Sequence, residues 1–222
     1  LIVLALWITY RTLRHELSLA RQQRDFLLAA SHELRTPIAA LKLHLQTLRR
    51  TDLDQERRSL LGESARHDVE RLHALTEKIL LANRLDETVT RADLIERDIA
   101  HDTLDRVVQA RVSFGADHPI MADLPTSLKL ATDSVAFRSV LENLLENACK
   151  YSPKGSTVHV RLISASDLVQ LSVTDAGPGI PPADRGRIFE KFFRGGNEET
   201  RDTKGTGLGL FIVRRSMQTL GG

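Results

Sequence analysis

Three residues near the start of the chain could support nucleophilic chemistry: His32, Glu33 and Thr36, within the run Ser-His-Glu-Leu-Arg-Thr-Pro. A neutral imidazole keeps a free nitrogen lone pair near pH 7, so His32 is a candidate nucleophile. Glu33 adjoins it and could accept the other ring N–H, which would fix the tautomer and raise the reactivity of the ring. Thr36 follows one helical turn later, so its hydroxyl lies on the same face. A solvated surface histidine beside a proline-bent helix is the simpler alternative for His32 alone.

A second group of residues is suited to phosphate and metal binding. Asn143, Asn147 and Lys150 are separated by four and three residues, which places them on one flank of a helix. Amide oxygens can ligate Mg²⁺ without adding charge, and a lysine can neutralise phosphate oxygens. The spacing therefore predicts a magnesium–phosphate site, although ordinary helix-surface polarity explains these residues as well when they are taken alone.

Two glycine-rich runs are suited to a nucleotide. Asp-Ala-Gly-Pro-Gly-Ile at 175–180 offers a carboxylate for an exocyclic amine and glycines that let the backbone approach a flat ring. Gly-Thr-Gly-Leu-Gly-Leu at 205–210 opens the last predicted helix, where free backbone N–H groups favour phosphate. It lacks the lysine of a P-loop. Residues 194–204 predict a mobile lid. A strand-ending turn and an idle surface loop are the simpler alternatives.

The spacing of His32, Glu33 and Thr36 requires a helix. The sequence of residues 11–87 predicts two long helices. One apolar seam with heptad spacing contains Leu13, Leu17, Ala20, Leu27, Leu34, Ile38, Leu41, Leu45 and Leu48. A second seam contains Leu61, Ala65, Leu72, Leu75, Ile79, Ala82 and Leu85. Thr51, Asp52 and Asp54 break the pattern as a turn with capping residues. Because one antiparallel hairpin cannot cover two seams, we expect a dimeric four-helix bundle; a two-helix coil within one chain is the alternative.

The asparagine–lysine group and the two glycine-rich runs lie in residues 88–222. The sequence of this region predicts a domain that contains both helices and strands. The apolar pattern indicates a helix from Val135 to Lys150 with Asp133 as its N-cap, and a final helix from about Gly207. Apolar and polar residues alternate at 158–162 and at 169–173, which predicts two strands joined as a hairpin around 164–167. Helices and strands mixed in this way predict an α+β sandwich.

The composition of the chain excludes several classes of protein. The chain has 222 residues, of which 41% are apolar and 27% charged, so it is neither collagen-like nor wholly disordered. Its net charge of +2 argues against a nucleic-acid partner held by bulk charge. Apolar residues 1–9 followed by Tyr10 and Arg11 predict that 1–10 is the end of a transmembrane helix. A buried helix end in a soluble protein is the alternative.

In their order and spacing, these motifs resemble those of the sensor histidine kinases of bacterial two-component systems. The H-box, N-box, first glycine box, F-box and second glycine box of that family match residues 32–37, 143–151, 175–180, 188–194 and 205–210. The resemblance implies a multi-domain α+β protein, with a dimerisation and phosphotransfer hairpin over 11–87 and a catalytic gyrase-type (Bergerat) ATP-binding domain over 88–222. Family members usually continue into further strands, so we expect this ATP-binding domain to be C-terminally truncated.

The resemblance also implies roles for individual residues. His32 would be phosphorylated, Glu33 would be its acid/base partner, and Thr36 would position water for dephosphorylating the regulator. The implied cofactors are ATP and Mg²⁺, with Asn147 as the metal ligand. The implied nucleotide-binding residues are Asn143, Asn147, Lys150, Tyr151, Asp175, Gly177, Gly179, Ile180, Gly205, Thr206, Gly207, Leu208, Gly209 and Leu210.

The expected activity is that of a protein-histidine kinase. Mg-ATP would phosphorylate His32, which would pass the group to an aspartate in the receiver domain of a response regulator. We expect a homodimer on the cytoplasmic side of the bacterial inner membrane, anchored by the N-terminal helix of the parent protein. The alternatives are a chain acting mainly as a phosphatase, a silent dimerisation scaffold, and a gyrase-type ATPase without a histidine acceptor.

Overall fold

The computed structural model describes residues 2–50, 52–87, 93–165, 168–195 and 205–222. These residues form two compact units. The first unit comprises the described residues between Ile2 and Leu81, together with Lys191–Arg194 and Gly205–Leu208. The second unit comprises the described residues between Ala82 and Glu190, together with Gly195 and Gly209–Gly222. A helical region followed by an α/β domain is therefore confirmed as the fold class.

The first unit is dominated by two long helices, α1 (Ile2–Leu48) and α2 (Gln55–Glu87). Asp54 caps α2, because its carboxylate accepts a hydrogen bond of 2.7 Å from the backbone N–H of Arg57. Side by side, the two helices bring His44 Nδ1 to 3.6 Å from Asp68 Oδ2. The predicted helical hairpin is thus present, and Thr51 of its turn lies outside the described residues.

One hairpin leaves much of its apolar seam uncovered. Leu27, Ile38 and Leu45 are 58%, 54% and 58% exposed, whereas Leu34 and Leu41 are half-buried. A shallow apolar groove of about 380 Å³ runs along α1 and is lined by Ile38, Leu41 and Leu45. A single chain therefore does not satisfy both seams, which is the premise from which we predict a dimer.

The N-terminal apolar residues form the first turns of α1 and are exposed. Arg11 lies over the ring of Trp7 at 5.3 Å, and Arg14 lies over the ring of Tyr10 at 4.7 Å. Within the described part of the chain, no helix has the length and apolar content needed to cross a bilayer. The assignment of residues 1–10 to the end of a transmembrane helix stays a prediction.

The second unit contains two small sheets and three helices among its described residues. The strands are β1 (Ile95–Asp98), β2 (Ile120–Asp123), β3 (Lys129–Thr132), β4 (Val158–Ala165) and β5 (Leu168–Thr174). β1 pairs with β3 in an antiparallel sheet, and β4 lies between β2, which is parallel to it, and β5, which is antiparallel. The helices are α3 (Ile99–Ser113), α4 (Ser134–Tyr151) and α5 (Gly209–Leu220).

The core of this unit lies between α4 and the three-stranded sheet. Leu141 and Leu145 of α4 pack in one buried cluster with Val158 and Val160 of β4. Asp133 caps α4 as predicted, because its carboxylate accepts hydrogen bonds from the backbone at 2.9 and 3.0 Å. This packing fixes the orientation of α4, and with it the flank that carries the asparagines.

Asp98 anchors the other side of the unit. Its carboxylate caps α3 and accepts hydrogen bonds from the hydroxyl of Ser127 at 2.6 Å and from the N–H of Leu128 at 3.1 Å. These donors, the Ser127 hydroxyl foremost, lower the pKa of Asp98 to about 2. The carboxylate therefore holds the β3 end of the domain to the start of α3 in its ionised form.

Candidate functional site

His32 lies in the middle of α1 with its side chain exposed. The hydroxyl of Thr36 donates a hydrogen bond of 3.2 Å to the backbone carbonyl of His32, so the two residues do share a face. The predicted contact between the ring and Glu33 is not made: no hydrogen bond joins them among the described residues. Adjacent residues on a helix point about 100° apart, so sequence neighbours do not face each other.

Part of the F-box lies in the same unit as His32. Phe192 stacks on Phe26 of α1, with ring centroids 4.1 Å apart and an interplanar angle of 25°. Phe192 has a left-handed backbone (φ 69°), and its N–H donates to the carbonyl of Gly207 at 3.1 Å. A Cβ at Gly207 would lie 2.7 Å from the carbonyl carbon of Phe192, so only glycine fits there. Sequence reasoning missed Phe26, which carries no motif signal.

The polar flank of α4 points towards the first turn of α5. Asn143 is only 5% exposed; its Nδ2 donates to the carbonyl of Ser139 at 2.8 Å, while its Oδ1 is buried without a hydrogen-bond partner among the described residues. Asn147 is half-buried one turn later. A Cβ at Gly209 would lie 3.1 Å from Asn143 Oδ1 and 3.7 Å from Asn147 Nδ2.

This arrangement fits a site for magnesium and phosphate. A buried amide oxygen without a donor is costly, so the unpaired Asn143 Oδ1 beside Gly209 suits a ligand group or a cation. Lys150 follows on the same helix, with its Nζ 5.1 Å from the centre of the Tyr151 ring. Asn143, Asn147 and Lys150 together provide neutral oxygen ligands and one cation along the second half of α4.

The first glycine box follows β5 directly and forms a tight loop, residues 175–180, which we call the Asp175 loop. The N–H of Gly177 donates to Asp175 Oδ1 at 2.7 Å, and Asp175 Oδ2 receives no hydrogen bond from the described residues. Gly179 has a positive φ of 71°. The exposed carboxylate is thus oriented through one oxygen and can accept an amine of a ligand through the other. Ile180, 41% exposed, follows at the end of the loop.

The second glycine box is divided between the units. Gly205 to Leu208 belong to the first unit, where Thr206 and Leu208 are buried, whereas Gly209 and Leu210 begin α5 in the second. Most of the predicted lid, residues 196–204, lies outside the described residues. The structure therefore brings Asn143, Asn147 and Gly209 together.

Two family models match the chain. The model of the His Kinase A (phospho-acceptor) domain matches residues 22–88. The model of the histidine kinase-, DNA gyrase B- and HSP90-like ATPase matches residues 132–222. The first therefore contains His32, and the second contains the N-box and both glycine boxes.

Individual proteins are similar over most of the chain. The probable sensor histidine kinase TcrY of Mycobacterium tuberculosis is 37% identical over 194 residues, covering 86% of this chain and 40% of that protein. The sensor-like histidine kinase SenX3 of the same species is 32% identical over 193 residues, covering 86% and 47%. The chain thus spans about half, or less, of the length of these two relatives. The solved structure of the mycobacterial sensor histidine kinase MprB is 32% identical, covering 58% of this chain and 80% of that one, with a TM-score of 0.50.

Proposed function

Because this chain belongs to the sensor histidine kinases, we propose that it transfers the γ-phosphoryl group of ATP to His32 and then to an aspartate of a response regulator. One observation carries the proposal. The same chain holds an exposed histidine inside its phospho-acceptor match and, inside its ATPase match, an asparagine–glycine cluster in which Asn143 Oδ1 is buried without a hydrogen-bond partner among the described residues.

In phosphoryl transfer the protein mainly positions the reacting groups and neutralises charge, and it does little covalent chemistry itself. A ring nitrogen of His32 attacks the γ-phosphorus, the new P–N bond forms, and the bond to the bridging oxygen breaks as ADP leaves with the electron pair. The other ring nitrogen gives up its proton, and we assign Glu33 as the acceptor. Because this carboxylate and the ring do not touch in the present structure, the transfer requires a change of side-chain rotamer.

The nucleotide is assigned to the second unit. Asp175 Oδ2 would accept the exocyclic amine of adenine, and Lys150 would neutralise phosphate oxygens. Asn147 would hold Mg²⁺ through its amide oxygen, and the buried Asn143 Oδ1 one turn earlier, which has no hydrogen-bond partner among the described residues, supports this assignment. A bound magnesium ion supplies charge neutralisation on the phosphates.

Thr36 is assigned to the removal of phosphate from the regulator. Its hydroxyl donates to the backbone one turn back, so the lone pairs of its oxygen remain available to accept a hydrogen bond from an attacking water. Because this hydrogen bond ends on the backbone carbonyl of His32, it leaves the imidazole ring of His32 untouched. We therefore propose that Thr36 serves dephosphorylation and not phosphorylation.

The functional form is proposed to be a homodimer. The exposed Leu27, Ile38 and Leu45 and the groove beside them support pairing of two hairpins into a four-helix bundle. The arginines over Trp7 and Tyr10 are typical of a membrane–water interface, which supports attachment of the parent protein to the inner membrane with this portion in the cytoplasm.

Incubation of the purified chain with γ-labelled ATP and Mg²⁺ tests the proposal. We expect acid-labile, base-stable label in the wild-type chain and none in His32→Gln. The matched control is His67→Gln, since His67 is also exposed on a long helix of the same unit. Label that persists in His32→Gln, or that behaves as a phosphoester, would contradict the assignment of the acceptor. Tight ADP binding without any label would favour an ATPase without a histidine acceptor.

A further inference from the structure

Ser152 links the end of α4 to the Asp175 loop. It is the C-cap of α4, where its backbone N–H donates to the carbonyl of Ala148 at 3.2 Å. Its hydroxyl oxygen accepts a hydrogen bond of 3.3 Å from the backbone N–H of Ala176, 24 residues further along the chain. Ser152 is absent from the nucleotide-binding residues predicted above.

The loop also rests directly on the last turn of α4. A Cβ at Gly177 would lie 2.9 Å from the carbonyl oxygen of Tyr151 and 2.7 Å from Asp175 Oδ1. Both distances are too short for a side chain, so the loop backbone meets the helix end with no space between them. The contact at Gly177 sets the distance between loop and helix, and the hydrogen bond from Ala176 sets the direction of the intervening peptide.

That peptide carries Asp175. The N–H that Ser152 binds belongs to the amide formed by the carbonyl of Asp175 and the nitrogen of Ala176. Rotation of this amide would swing the Cα–Cβ bond of Asp175, and Oδ2 would leave the direction set by the Gly177 N–H on Oδ1. The hydrogen bond from Ala176 N–H to Ser152 therefore fixes the backbone of Asp175, and the hydrogen bond from Gly177 N–H fixes its side-chain carboxylate.

We propose that Ser152 is a positioning residue for recognition of the adenine amine. The inference rests on the proposed function, because it acts through the assignment of Asp175 to adenine. Ser152 is not assigned any contact with the base or the phosphates; it restricts the peptide that carries the reading carboxylate. A neutral hydrogen bond of this kind is expected to be worth about a two- to tenfold change in nucleotide affinity.

The test compares two nucleotides with the full chain. Inosine diphosphate carries an oxygen where ADP carries its exocyclic amine, so the ratio of the two dissociation constants reports the contact of Asp175 with that amine. We expect Ser152→Ala to weaken ADP binding two- to tenfold and to leave inosine diphosphate binding unchanged, so the preference for ADP falls. Ser152→Thr keeps the hydroxyl and should restore the preference.

Matched controls separate positioning from general loosening of the loop. Ser156→Ala removes a hydroxyl that donates to the carbonyl of Pro153 at 2.6 Å in the same connection, without reaching the Asp175 loop. It should leave the ratio unchanged. In an Asp175→Asn background, Ser152→Ala should cause no further loss of preference. Ser152→Cys keeps the volume with a weak acceptor and gives the same comparison if the alanine variant fails to fold.

The two ways of failing are distinct. Equal affinities of the wild-type chain for ADP and inosine diphosphate would overturn the assignment of Asp175 to adenine, and the inference with it. A wild-type preference that survives unchanged in folded Ser152→Ala or Ser152→Cys would overturn the inference alone. Equal losses for both nucleotides would identify Ser152 as a purely structural cap and would also overturn it.

Discussion

Gly209→Ala should separate the stability of the second unit from its capacity to bind Mg-nucleotide. Gly209 is the first residue of α5, and it has no positive φ that would exclude a side chain. Its new methyl group would lie 3.1 Å from Asn143 Oδ1, a few tenths of an ångström too close. Asn143 is 5% exposed and held by the carbonyl of Ser139, so its amide has little room to retreat.

The magnitude follows from two opposing effects. Replacing glycine by alanine in a helix stabilises it by at most about 1 kcal/mol, and less in the first turn. Rotating the Asn143 amide away from Ser139 leaves buried polar groups unpaired, at a cost of about 1–3 kcal/mol. We therefore expect a net destabilisation between about 0 and 3 kcal/mol. Displacement of the asparagine pair should weaken Mg-ADP binding by about 10- to 100-fold, since hydrogen bonds to charged groups are worth about 1.5–3 kcal/mol.

Thermal unfolding and calorimetric titration with Mg-ADP measure the two quantities on one sample. The matched control is Gly62→Ala in α2, where a Cβ would meet nothing within 4 Å. That variant should stabilise its helix by up to about 1 kcal/mol and leave the affinity for Mg-ADP unchanged. If Gly209→Ala instead raises the melting temperature and binds Mg-ADP like the wild-type chain, the cradle formed by Gly209 and the two asparagines is not the nucleotide site.

Two further outcomes can be measured on the same chain. Asp98 has a folded-state pKa of about 2 against an ordinary value of 3.8, so its contribution to stability is complete above pH 3.8 and is lost as pH falls towards 2. Thermal melts should therefore fall more steeply between pH 4 and 2 for the wild-type chain than for Asp98→Asn, and parallel curves would refute this. Thr36→Ala should largely preserve label incorporation while slowing decay of a phosphorylated regulator, because it removes only an exposed hydroxyl. Complete loss of label in a folded Thr36→Ala chain would show that the face around His32 is misassigned.

Local patterns were sufficient for the longer elements. The apolar stripe of α4 repeats over several turns and Asp133 stands at its start, so helix and cap are both encoded within a short stretch of sequence. Alternation of apolar and polar residues along β4 and β5 likewise predicted their pairing, since β4 buries one face and the apolar residues of β5 at 169–173 are half-buried. The four-residue strands β1, β2 and β3 were missed because so few residues carry no readable period.

The contacts that shape the candidate sites join distant parts of the chain, and only the tertiary structure could supply them. The hydroxyl of Ser152 on Ala176, the approach of Gly209 to Asn143, and the stack of Phe26 on Phe192 leave no periodic trace in the residues that make them. For the adjacent pair His32 and Glu33, proximity in the sequence does not by itself bring the side chains together, because helix geometry turns neighbours away from each other. Residue types and spacing specify which chemistry is available, whereas packing of separate segments decides which groups meet.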